Sequence, residues 1–174
     1  PYQQRRLLPL PHCDCDPRAE RGLDREHTER TLDDSLARAE AGLDETIGLV
    51  QEVGEAESFP VPYYRAQTCD TAGFSDVSAA RDAAGVDPDW NGAFMKALGE
   101  AMERYCAGIY RTEEFERGAP ADRENVVAPS AFVCRREPDS STPIEWVRGE
   151  RLRDGAERAL PAEFVHYPPP EGRY

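Results

Sequence analysis

The stretch "KALGEAMERYC", Lys96 to Cys106, sets Glu100, Glu103 and Arg104 within about one helical turn, with the chain's only lysine, Lys96, one turn upstream. Two carboxylates sharing a helix face can take a hard divalent cation such as Mg2+, which prefers oxygen ligands and shares them with phosphate groups. An arginine beside them offers a planar fork of donors to phosphate oxygens. In a chain this acidic, bare carboxylates would repel a polyphosphate, so the metal is what makes the combination workable. The chemistry that fits the set is Mg-ATP. The plainer alternative is a solvated face laced by weak ion pairs, Lys96 with Glu100 and Glu100 with Arg104, and spacing alone favours it. The small flanking residues Ala93, Gly99 and Ala107 point the other way, because they let a ligand or another backbone come close.

These residues need a helix to align them. At roughly 100° per residue, Phe94, Leu98, Met102, Tyr105 and Ile109 form an apolar side, with Lys96, Glu100, Glu103 and Arg104 opposite. Asp87 is the expected N-cap, Pro88 takes the first helical position, and the helix is predicted to run to about Tyr110. Upstream, "TLDDSLARAEAGLDETIGLVQEVG" opens on a Thr cap and carries Leu32, Leu36, Leu43, Ile47 and Val50 at helical spacing. It reads as one helix closed by Gly54. "FPVPYYRAQTC" reads as a strand from about Tyr63, and "SAFVCR", "TPIEWVRG" and "AEFVHYP" as short strands. "ERLRDGAERALP" reads as a turn around Asp-Gly. Helix, strand, helix, strands is an α+β order, with helices packed on a mostly antiparallel or mixed sheet.

Composition narrows the function classes. Thirty-four acids against 21 Lys+Arg leave a formal charge of −13, which disfavours nucleic acid and anionic membranes as partners. The near absence of lysine is what adaptation to high salt would produce. No run is long and apolar enough for a membrane helix and no signal peptide is visible, so a cytoplasmic location is expected. Residues 1–27 read as a lead-in linker or the tail of an upstream domain. The "HCDC" run offers His12, Cys13 and Cys15 as zinc ligands, but its cysteines are one residue apart and no second pair follows, so ordinary cysteines are favoured. Cys69, Cys106 and Cys134 read as buried structural thiols. His27 and His166 have no nucleophile nearby in sequence, and Trp90 and Trp146 read as packing residues.

With these residues in view, "ALGEAMERYCAGIY" resembles the A-L-x-E-x-x-E-R helix of YcaO-domain proteins. "IEWVRGERL" followed by "ALPAEFVHYPPP" is similar to that family's I-x-W-V-x-G-x-x-L and its following V-P-A-E stretch, in the same order. The resemblance runs from about residue 28 to 174 and implies an incomplete YcaO-like domain. It implies ATP- and Mg2+-dependent activation of a backbone amide in a peptide or protein substrate. A nucleophile adds to the amide carbonyl, the oxyanion is phosphorylated and phosphate leaves, giving an azoline or a thioamide. Carried over, Glu100 and Glu103 sit at the Mg2+ and Arg104 near the phosphates, while no catalytic residue is assigned.

Three departures stand out. Lys96 replaces a Ser that is frequent in the family, Gly85-Val86-Asp87 stands where the family has Gly-Lys-Gly, and the sequence ends before a second glutamate-rich helix that supplies further ligands. The chain therefore reads as a front portion, inactive alone, completed by a missing C-terminal half or a partner chain. The alternative is a truncated, non-catalytic scaffold or interaction domain. Apolar edges left open by an incomplete sheet make self-association an expectation.

Overall fold

The computed structural model describes residues 30–57, 59–134 and 139–170. Helix α1 (Leu32–Glu40) is capped by Thr31, whose side chain accepts from the Asp34 N–H, and Asp33 and Asp34 complement the positive end of its dipole. The predicted continuation to Gly54 does not form. The chain turns at Gly42, and Asp44 Oδ1 accepts from the N–H groups of Thr46 and Ile47. Val50 then opens a strand, β1 (Val50–Glu55). Local Asx bonding and β-branched residues win over the helical spacing of the leucines.

β1, β2 (Tyr63–Thr68) and β3 (Asp82–Val86) form an antiparallel meander in that order. β3, which sequence reading missed, is short and built of Ala and Gly, a composition with little strand signature. Helix α2 (Trp90–Ala107) lies across this sheet. Its N-cap is Asp89, whose side chain accepts from the Gly92 N–H. The expected cap Asp87 instead accepts from the Asp89 N–H, one step before the helix. The helix ends at Ala107, short of the predicted Tyr110, with Gly108 as its C-cap.

The core between helices and sheet holds Ala39, Val50, Ala66, Ala83, Ala97, Leu98 and Ala101, with Phe94, Met95 and Met102 half-buried against it. Ala93, Ala97 and Ala101 recur every fourth residue and are fully buried, so α2 presents a row of methyl groups to β3. Among the core residues expected on α2, Leu98 and Tyr105 are buried, while Phe94, Met102 and Ile109 are only half-buried. The burial centre is rotated toward the alanines.

A second antiparallel sheet consists of β4 (Glu116–Gly118), β5 (Ile144–Glu150) and β6 (Glu157–Pro161). Trp146 is its buried centre, and its indole N–H donates to the Gly118 carbonyl at 2.8 Å. Trp90, by contrast, is half exposed. "SAFVCR" and "AEFVHYP" are not strands: they carry short 3-10 turns, Pro129–Ala131 and Ala162–Phe164, each opening beside a proline. After β6 the chain returns to the end of α2, where the Tyr167 N–H donates to Ala107 O (3.0 Å) and the Tyr110 hydroxyl to Pro168 O (2.9 Å). The expected α+β class holds, with both sheets antiparallel.

Candidate functional site

The polar side of α2 is not the free-standing face that a helical wheel draws. In the β2–β3 pair, Ala83 and Gly85 bond toward β2, so the backbone groups of Asp82, Ala84 and Val86 point to the outer edge of β3. The Ala84 N–H donates to Glu100 Oε2 at 2.7 Å, and the Val86 carbonyl accepts from Lys96 Nζ at 3.1 Å. Two α2 side chains thus satisfy backbone groups that an edge strand would otherwise leave open. The approach is close because Gly85 has no side chain: a Cβ there would fall 2.1 Å from Ala93 O and 2.3 Å from Ala97 N.

Arg104 completes the arrangement. Its Nε (3.1 Å) and Nη2 (2.6 Å) both donate to Glu100 Oε1, and its guanidinium lies over the Tyr167 ring, 5.5 Å from the centroid. The Glu100 carboxyl is therefore held below its ordinary value of 4.5, first by the Ala84 N–H and then by Arg104. A carboxylate has about four acceptor positions. Three are filled here, leaving one on Oε2.

Glu103 differs: it is exposed, and no described residue pairs with its carboxylate. Glu100, Glu103 and Arg104 meet in a cleft of about 370 Å3 whose other walls are Ala107 and Tyr167. A second cleft of about 440 Å3, on the β3 side of Glu100 and Arg104, is walled by Ala56, Tyr63, Arg65, Asp82, Ala83 and Ala84. The acid–acid–arginine set is thus brought together beside real concavities. Lys96 is not part of it. Its ammonium pairs with Asp87 at 2.7 Å, outside both clefts.

The small flanks divide as well. Ala93 is buried under β3, while Gly99 faces open space and Ala107 lines the first cleft. Among the described residues no group of three or more His, Cys, Asp or Glu could hold a metal. Two carboxylates are nevertheless a sufficient protein share for Mg2+, which completes its octahedron with water and phosphate oxygens.

Cys106, expected as a buried thiol, is exposed, and Cys69 and Cys134 are half-buried. His166 is half-buried between Tyr110 (4.4 Å) and Phe115 (5.3 Å) and serves as an aromatic spacer. His12, Cys13, Cys15 and His27 lie outside the described residues. No described helix is long and apolar enough to cross a membrane. Sequence reading missed the Ala84 N–H, Arg65 and Tyr167. Only Arg65 carried a signal, since alternation along "YYRAQT" sets it opposite the buried Ala66.

A pH dependence follows from Glu100. Its folded-state value lies below the unfolded one, so its stabilisation is present above about pH 4.5 and is lost as pH falls through the depressed folded value. Urea midpoints of the wild type and Glu100→Gln are expected to differ by a constant amount from pH 6 to 8. The gap should shrink below about pH 4.

Comparison with known proteins places this geometry. A family model described as YcaO cyclodehydratase, ATP- and Mg2+-binding, matches residues 85–174, which include the last two residues of β3, all of α2 and the second sheet. No curated protein sequence matches the chain. Among solved structures it is similar to a heterocyclase in complex with substrate and cofactor, with a TM-score of 0.62 and 19% identity over 85% of this chain and 24% of that one. It is also similar to YcaO from Methanopyrus kandleri bound with AMPPCP and Mg2+, with a TM-score of 0.57 and 23% identity over 83% of this chain and 36% of that one. At such identities the likeness is one of fold, and the chain spans about a quarter and a third of the two relatives. The family match covers more than half of the chain, and the chain belongs to the YcaO family, whose members bind ATP and Mg2+.

Proposed function

We propose that this chain supplies the Glu100–Glu103–Arg104 face of a Mg-ATP site that serves activation of a backbone amide in a peptide or protein substrate, on the way to an azoline or a thioamide. Bound ATP would supply the phosphoryl group that turns an amide oxygen into a leaving group, since phosphate leaves where hydroxide does not. The chain's own share is positioning and charge neutralisation. Glu103 is the carboxylate ready to receive a cation, and Glu100 can add its remaining Oε2 position. Arg104, fixed by Glu100 and Tyr167, keeps donors on Nη1 for phosphate oxygens. The observation that carries the proposal is the pairing of a partly committed carboxylate with a free one, beside an arginine, at the wall of two clefts.

A second reading has its own support. Three of the four acceptor positions of Glu100 are used within the fold. That is what a non-catalytic scaffold or interaction domain would keep, with the acid retained to fasten α2 to β3. Calorimetric titration with Mg-ATP separates the two. Glu103 has no partner among the described residues, so Glu103→Gln should leave the fold intact while weakening Mg-ATP binding by about tenfold or more and leaving metal-free ATP unaffected. Equal affinity in the two proteins, or no binding to either, would remove the nucleotide proposal for this chain.

A further inference from the structure

The face of the first sheet turned away from α2 carries an unassigned cation. Alternation puts Tyr63, Arg65 and Gln67 on this face of β2, with Asp82, Ala84 and Val86 beside them on β3. The register places Arg65 between Gly54 on β1 and Ala84 on β3, neither of which has a side chain extending beyond Cβ. The rows on either side are occupied within themselves. Gln67 Nε2 donates to Asp82 Oδ1 at 3.0 Å, and Tyr63 packs on Phe59 with ring centroids 4.9 Å apart. Arg65 is left exposed, and no described residue holds its guanidinium in a hydrogen bond or ion pair. Other described arginines are also without a partner among the described residues; what sets Arg65 apart is that its guanidinium stands on this sheet face beside Gly54 and Ala84.

Its location gives it a use. Arg65 lines the same cleft of about 440 Å3 as Glu100 and Arg104. A triphosphate carries several negative charges, and Arg104 has already committed Nε and Nη2 to Glu100. We infer that Arg65 is a second cationic contact for the polyphosphate, a positioning and affinity residue that donates to phosphate oxygens from the sheet side of the cleft while Arg104 does so from the helix side. This rests on the reading that the cleft takes Mg-bound triphosphate. The bland alternative is a solvated arginine whose aliphatic stem covers Ala84.

Calorimetric titration of the whole chain and of Arg65→Ala and Arg65→Lys, each with Mg-ATP, inorganic tripolyphosphate and AMP, tests the inference. Arg65→Ala is expected to weaken Mg-ATP and tripolyphosphate by about tenfold and AMP by less than about twofold, with the urea midpoint unchanged and Arg65→Lys recovering part of the loss. Wild-type affinity for Mg-ATP and tripolyphosphate in Arg65→Ala, while Glu103→Gln still loses Mg-ATP, would overturn the role of Arg65 and leave the nucleotide site standing. Equal weakening of all three ligands would also overturn it, since that effect is not directed at the polyphosphate. No binding of Mg-ATP to the wild type would remove both.

Discussion

Gly85→Ala is expected to be a strongly damaging change despite its small size, lowering the free energy of unfolding by about 3 kcal/mol. The added methyl would lie 2.1 Å from Ala93 O, 2.3 Å from Ala97 N and 2.9 Å from Lys96 Cβ. The first two are backbone atoms of an 18-residue helix that can retreat only as a body. Retreat would strip the Ala93–Ala97–Ala101 row from β3 and draw Glu100 away from the Ala84 N–H, so the site would loosen with the fold. Gly54→Ala is the control. A Cβ there meets nothing within 4 Å, and the change should stay within about 0.5 kcal/mol. Urea unfolding of the two variants beside the wild type is the measurement. A Gly85→Ala protein as stable as Gly54→Ala would mean that α2 does not ride on the β3 backbone.

That contact also explains what the sequence concealed. The helix carrying Glu100, Glu103 and Arg104 was legible because a cap, a proline and an apolar side coincide over residues 87–107, and β2 and β5 were legible from their β-branched and aromatic residues. β3 was not, because "DAAGV" earns its place by smallness: alanine and glycine are poor strand formers in isolation and good ones only when a helix backbone must come close. Without β3 in view, Lys96, Glu100 and Arg104 looked solvent-facing and Ala93 looked like an open flank. With it, Ala93 is buried and two of the three polar residues bond to a strand edge.

The single lysine shows the same effect. The family resemblance leads one to expect a lysine at the position of Val86. Here the Lys96 ammonium reaches back to the Val86 carbonyl and the Asp87 carboxylate, so a positive charge stands at that corner from a different position in the chain. No spacing rule announces such an exchange, because it depends on a strand and a helix meeting through Gly85.

Glu100 is the residue where fold and proposed chemistry compete, and its substitutions are expected to separate them. Glu100→Ala removes the acceptor for Ala84 N–H and the partner of Arg104. Charge-assisted bonds of this kind contribute about 1.5–3 kcal/mol when buried. Since the Glu100 side chain is 35% exposed, screening brings the expected loss to roughly 1–2 kcal/mol. A double-mutant cycle with Arg104→Ala should show a coupling of about 1 kcal/mol, because the two share one ion pair. Glu100→Gln keeps a carbonyl oxygen for the Ala84 N–H and should recover about half of the stability. It lacks the charge that a divalent cation requires, so Mg-ATP affinity should fall by about tenfold or more in Gln and Ala alike. A Gln variant that binds Mg-ATP as the wild type does would show that Glu100 fastens α2 to β3 and nothing more, and would leave Glu103 as the sole carboxylate of the site.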